Sequence, residues 1–244
     1  MEIGFKPEGE LLNTKENRDL LASRSGLERA MKTGETVEGV ATVCDGEMRL
    51  QVDLGCMRGI ILPEEAVFCR PGESRKDIAV VSRVGKPVAV KIMAFTERNG
   101  ETVALLSRRA AQKDCLERHL MRLCAGDIIP GRVTHMEPFG AFLDIGCGVS
   151  SLLSVDCISV SRISHPHDRL SVGMQLPVAV RNVDRESGRI AVTLRELLGT
   201  WEENAAGFSA GQTVTGIVRS VESYGVFIEL APNLAGLAEV RGEE

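Results

Sequence analysis

The chain repeats itself, and that repeat limits what it can fold into. Lys32-Thr33-Gly34 leads into Thr36-Val37-Glu38-Gly39-Val40. Ala125-Gly126 leads into Ile128-Ile129-Pro130-Gly131-Arg132-Val133, and Ala210-Gly211 into Thr213-Val214-Thr215-Gly216-Ile217-Val218. The opening glycines, Gly34, Gly126 and Gly211, stand 92 and 85 residues apart. Such a period suits one small domain per repeat; solenoid repeats run to roughly 20–45 residues.

The second repeat reads as a series of strands. Ile128–Met136 is β-rich and interrupted by Gly131; Ala141–Ile145 alternates in period two. Leu152–Val155 is short and apolar, Gln175–Val183 carries Val178, Val180 and Val183, and Arg189–Leu194 alternates again. Asp184–Gly188 is polar and reads as a hairpin turn. Five short strands separated by turn residues predict a small closed barrel of the OB type. Between barrels the spacing becomes helical: Ala111, Cys115, Leu120 and Leu123 predict a connecting helix within Ser107–Cys124. Leu197–Ala206 is a shorter linker, and Asn17–Met31 is expected to form one helix before the first barrel.

The expected fold is therefore all-β: tandem small five-stranded OB-fold barrels joined by short helical linkers. The expected division is a helical lead-in (1–32), a first barrel (33–112), a linker helix (113–123), a second barrel (124–197), a linker (198–206) and part of a third barrel (207–244). The third repeat holds chain for three strands only, and a barrel short of two strands leaves open edges. A fragment of a longer protein is the expectation.

Alternation then places the side chains. In Ala141–Ile145, Ala141, Leu143 and Ile145 fit the inside, so Phe142 and Asp144 face out. In the third repeat Val226, Ile228 and Leu230 fit the inside, so Phe227 and Glu229 face out. An outward Phe beside a carboxylate is a poor choice unless something covers it. A second aromatic precedes each by three residues, Phe139 and Tyr224, and each is followed by glycine, which lets the strand bend. Aromatics are only 4% of the chain, so this recurrence carries information. Two exposed rings make a stacking platform for bases, at about 1–3 kcal/mol per base with little sequence preference. The alternative is that the rings cap the barrel or pack on a linker helix.

Charge qualifies the partner. The net charge is −5, which argues against a strongly basic, non-specific nucleic-acid binder. Stacking on single strands needs only a local groove. The chain has no run of 18 apolar residues, so no membrane span is expected. Met1–Glu10 lacks an apolar core and is no secretory signal. Seven cysteines, an odd number without a CxxC pair, read as reduced thiols in the cytosol.

Pro138-Phe139-Gly140-Ala141-Phe142-Leu143-Asp144-Ile145-Gly146 resembles the hallmark of the S1 RNA-binding domain. Glu222-Ser223-Tyr224-Gly225-Val226-Phe227-Ile228-Glu229-Leu230 resembles a second copy. Asp184-Arg185-Glu186-Ser187-Gly188-Arg189-Ile190 is similar to the family's turn before its last strand. The resemblance covers Cys124–Leu197 fully, Ala210–Glu244 for a first half, and Thr33–Ala111 faintly. The whole arrangement resembles the multi-domain S1-like proteins of Gram-positive bacteria.

The resemblance implies a single-stranded RNA face, with messenger RNA as ligand. It would use Phe139, Phe142, Arg132, Asp184 and Arg189, and in the third repeat Tyr224 and Phe227. Arg132 and Arg189 would contact phosphate or stack, and Asp184 would orient Arg189 or accept from a base edge. The family's usual third-strand His is replaced here by Ser154, and by Glu239 in the third repeat, which removes one stacking surface. Aligning Asp53-Leu54-Gly55-Cys56 with Asp144-Ile145-Gly146-Cys147 puts Met48 opposite Phe139 and Gln51 opposite Phe142. The first barrel thus keeps an inside face, Leu50, Val52 and Leu54, and loses the platform. The resemblance implies that it docks or spaces, with the small ribosomal subunit as a partner. A different class of function, barrels that dock on a ribosomal or RNA-processing protein with the aromatics buried in the contact, is the alternative.

Other features read more plainly. His165-Pro166-His167 lacks further ligands nearby, so no metal is expected. Ser159–Leu170 reads as a long loop. Gly146-Cys147-Gly148 is too short for a dinucleotide fingerprint. Arg108, Arg109, Arg118 and Arg122 read as a solvated helix face. His119 and His135 stand isolated, and no nucleophile–base–orienter set appears. The expectation is a cytoplasmic monomer with no catalytic residues and no cofactor.

Overall fold

A computed structural model describes residues 5–70, 72–98 and 100–239. The first four residues of the lead-in and residues 240–244 of the third repeat lie outside the described residues. The chain opens with α1 (Lys15–Leu21) and α2 (Arg24–Thr33), followed by β1 (Val37–Cys44), β2 (Leu50–Asp53), β3 (Arg58–Ile61), α3 (Asp77–Val81), β4 (Pro87–Arg98) and β5 (Glu101–Ser107). After α4 (Arg108–Arg118) come β6 (Ile128–Glu137), β7 (Gly140–Asp144), β8 (Ser150–Ser154), β9 (Gln175–Asp184) and β10 (Arg189–Thr193). A short α5 (Trp201–Ala205) precedes β11 (Ile217–Glu222), β12 (Gly225–Ala231) and β13 (Leu234–Glu239). Among the described residues, no helix is long and apolar enough to cross a membrane.

The strands close into two five-stranded barrels, in the order β1-β2-β3-β5-β4 and β10-β8-β7-β6-β9, and β11–β13 form a three-stranded antiparallel meander. Each barrel carries one parallel contact, β3 with β5 and β8 with β10. By compactness the described chain groups into two units. One holds residues up to Cys124 with Asp144–Ser151 and Val183–Ile190; the other holds Ala125–Leu143, Leu152–Asn182 and the chain from Ala191.

The first barrel fills as its alternation predicts. Leu50, Val52 and Leu54 are fully buried among Val37, Ile61, Val88, Val90 and Leu106. In the second, Ala141, Leu143 and Ile145 are buried. The recurring strand glycine has a steric cause. A Cβ at Gly39, Gly131 or Gly216 would lie 2.5 Å from the Asp53 carbonyl oxygen, 2.8 Å from Leu143 Cδ2, or 2.4 Å from Ile228 Cγ2. At Gly39 and Gly216 a backbone oxygen of the neighbouring strand, 2.5 and 2.7 Å away, leaves no room for a side chain, whereas at Gly131 the Leu143 side chain would have to give.

Four expectations change. Arg108, read as part of a solvated helix face, is 3% exposed and pairs with the buried Glu8 carboxylate. The lead-in is two helices rather than one. Ser23 takes extended geometry and caps α2 through the Gly26 amide, which donates to its Oγ at 3.2 Å. A hydroxyl in that position competes with helix continuation and favours a restart.

Asp144 and Glu229 are buried rather than outward-facing, at 3% and 6% exposure. Asp144 accepts three backbone N–H groups, from Glu8 at 2.7 Å and from Gly146 and Gly148, each at 2.9 Å. Glu229 pairs with Arg169 at 2.8 Å and with Arg219. Alternation assigns a side of the strand, but chain from elsewhere covers that side and satisfies the charge.

Val226, Ile228 and Leu230 are only half-buried, and Ile217, Val218 and Val221 are exposed. A three-stranded meander encloses no interior.

Around Glu8 the first unit holds a buried charge network. The Glu8 carboxylate accepts from Arg108 at 2.6 and 3.0 Å and from the Ala89 amide at 3.1 Å. Glu38 accepts the amides of Gly9, Leu11 and Leu12 at 2.9, 3.0 and 2.7 Å. Burial would raise Glu8, but the charge and hydrogen bonds of Arg108 outweigh it and hold the carboxyl below its ordinary value. Glu38 lacks a cationic partner of that kind, and burial pushes it up to about 7. Burial, reinforced by the nearby Glu8 charge, does the same to Asp144, also to about 7.

Candidate nucleic-acid interface

The candidate face is built on β6 and β7 and the turn between them. Phe139 is 56% exposed in that turn, and Phe142 is half-buried on β7. Their ring centroids lie 6.1 Å apart with planes at 89°. The third repeat reproduces this arrangement, with Tyr224 and Phe227 at 6.3 Å and 88°, and Tyr224 58% exposed. Edge-on packing between the rings leaves the exposed ring of each pair accessible to a planar ligand.

The glycine after the first aromatic is sterically required. A Cβ on Gly140 would lie 2.5 Å from the Leu153 carbonyl oxygen, and one on Gly225 would lie 2.7 Å from that of Ala238. The Val155 amide donates to the Phe139 carbonyl at 3.0 Å, which ties the aromatic turn to the end of β8. Ser154 ends that strand, half-buried, and its hydroxyl bonds to Asp156, which lowers the Asp156 carboxyl. Arg132 is half-buried on β6, and its Nε is buried without a hydrogen-bond partner among the described residues. A guanidinium nitrogen in that state is uncommon, because buried donors are nearly always satisfied.

Asp184 and Arg189 make their contacts within the first unit. Asp184 organises its hairpin turn. The Ser187 hydroxyl donates to it at 2.6 Å, and the Glu186 and Ser187 amides donate at 3.0 and 3.1 Å. The Ser187 hydrogen bond leads in holding this carboxyl below its usual value. Arg189 pairs with Glu73 at 3.4 Å rather than accepting orientation from Asp184 through a hydrogen bond.

Two residues read as isolated in sequence have ring partners. His119 stacks on Phe5 at 5.8 Å. His135, exposed on β6, stacks on Phe142 at 6.1 Å with planes 21° apart, and its Nε2 lies 2.7 Å from Glu137. The repeat itself contained the signal for His135. Ser220 pairs with Phe227 across the β11–β12 hairpin, and His135 precedes Phe142 by the same seven positions.

The long loop after β8 does not present its histidines as ligands. His165 Nδ1 accepts the His167 amide at 3.1 Å, capping a helical turn at Pro166–Asp168. Among the described residues, no group of three or more His, Cys, Asp or Glu is placed to hold a metal ion.

The model of the S1 RNA binding domain matches residues 122–195. The small ribosomal subunit protein bS1 of Staphylococcus aureus (strain COL) is 31% identical over 227 residues, which is 89% of this chain and 54% of that protein. That of Rhizobium meliloti (strain 1021) is 28% identical over 239 residues, covering 95% of this chain and 40% of that protein. The chain thus spans about half the length of such relatives, or less. The solution structure of GSP13 from Bacillus subtilis is 23% identical, with a TM-score of 0.31, over 38% of this chain and 78% of that one.

Proposed function

We propose, for a chain that is S1-like and carries an S1 RNA binding domain at residues 122–195, that it binds single-stranded RNA, messenger RNA in particular, by stacking bases on exposed aromatic pairs. The observation that carries this reading is the recurrence of one ring geometry in two repeats, Phe139 with Phe142 and Tyr224 with Phe227. A ring that is more than half exposed gains little from its own burial, and base stacking is a chemistry that uses it. Arg132 supplies a cation from β6, and Ser154 a hydroxyl at the end of β8. Asp184 and Arg189, on the hairpin between β9 and β10, are further candidate RNA contacts.

The domain division follows the three repeats, with the first barrel, which lacks the rings, as a docking or spacing element. The small ribosomal subunit in the cytoplasm is the assembly it would attach to. The names of the bS1 relatives support that attachment.

The test is a fluorescence-anisotropy titration of the chain with labelled oligouridylate. Phe139→Ala combined with Phe142→Ala is expected to weaken binding by about 1–3 kcal/mol for each base that loses its platform. Unchanged affinity in a folded double variant would overturn the reading. It would favour a protein partner on this face.

A further inference from the structure

The geometry points to His135 as a third stacking ring of this platform, one that only the second of the three repeats possesses. The inference rests on the RNA-stacking reading of the same face and adds a residue to it.

Three observations converge. The first is backbone placement. Strict alternation along β6 would bury every second residue, yet Thr134 and His135 are both exposed between buried Val133 and Met136. The corresponding strands show why. The β1–β2 register shifts between Ala41 and Val43, and the β11–β12 register shifts between Val218 and Ser220. A bulge at this point turns the next residue onto the outer face beside the β7-type aromatic. In the third repeat that residue is Ser220, opposite Phe227; in the first it is Val43, opposite Gln51. Only the second repeat puts a ring there.

The second observation is ring geometry. His135 lies nearly parallel to Phe142, at 21°, whereas Phe139 stands perpendicular to it, at 89°; both centroids are 6.1 Å away. Phe142 is therefore the half-buried ring against which two more exposed rings, His135 and Phe139, pack. A single strand crossing the face has three π surfaces within reach rather than two.

The third is orientation. Glu137 lies two residues along the same strand and engages His135 Nε2 at 2.7 Å, which fixes the plane of an otherwise mobile exposed side chain. Pre-setting the ring lowers the ordering cost when a base stacks on it. Glu137 is thus a positioning residue.

The experiment uses the full chain and a labelled oligouridylate of about twelve nucleotides, long enough for one such barrel. His135→Ala is expected to weaken binding about five-fold or more, the equivalent of one lost stacking contact. His135→Phe keeps a ring and is expected to bind as the wild type does. By NMR, the His135 Cε1 proton is expected to move upfield as RNA is added. If His135→Ala binds normally, or if His135→Phe is as weak as His135→Ala, while Phe142→Ala still weakens binding, the third ring is refuted and the two-ring platform survives. If Phe142→Ala also binds normally, both readings fall.

Discussion

At the residue scale, burial and pairing decide which side chains matter for stability and which are left for a ligand. Glu8 and Arg108 are each almost wholly buried, at 6% and 3% exposure, and are joined by two hydrogen bonds. Removing one partner of such a pair strands a charge away from water. Glu8→Gln is expected to destabilise the chain by about 3–5 kcal/mol, seen as a lower midpoint in urea denaturation. Phe139 is the opposite case. It is exposed and contributes little to burial, so its loss is expected to reduce RNA binding and leave the urea midpoint in place. The two measurements together separate a residue kept for folding from one kept for a ligand.

At the element scale, close strand approach explains the glycines that mark the repeat. The aromatic turn between β6 and β7 works because Gly140 lets the turn lie against the β8 backbone, with the Leu153 oxygen where a Cβ would be. Backbone cannot move aside as a flexible side chain can. Gly140→Ala is therefore expected to cost roughly 1–3 kcal/mol of stability, read as a lower melting temperature. Gly46→Ala meets nothing within 4 Å and is expected to change it little. The strand positions themselves were legible from alternation in the second repeat, where Ala141, Leu143 and Ile145, the inward residues of the β7 run, are all buried. The break between α1 and α2 was less so. Helical spacing runs through it, and only the Ser23 cap interrupts it.

At the scale of the whole molecule, the buried carboxyls set a dependence on pH. Glu38 and Asp144 hold their protons up to about pH 7 in the fold, while the same groups in an unfolded chain release them near pH 4. The folded state therefore binds more protons between those values. The stability these groups confer is complete below about pH 4 and is lost as pH rises through about 7. Glu8 and Glu229, held below their ordinary values, run the other way and weaken the fold only in acid. Between pH 5 and 8 the net expectation is a urea midpoint that falls as pH rises. A midpoint that rises over that range would show that the three amides on each carboxyl outweigh its burial.

The sequence alone determined the repeat, the barrel class, the inward faces and the recurring aromatic pair, since each follows from a local period or a short fixed spacing. What covers the outward positions follows from packing between segments far apart in the chain. Asp144 and Glu229 alternate as surface residues and are buried, because the Glu8 amide in one case, and Arg169 in the other, come from distant chain to satisfy them, with Arg219 joining from the neighbouring strand. His135 is the converse. It looks solitary in sequence and packs on Phe142 in the fold, because strand pairing sets it there; only comparison with the paired Ser220 and Phe227 of the third repeat marks the position in advance.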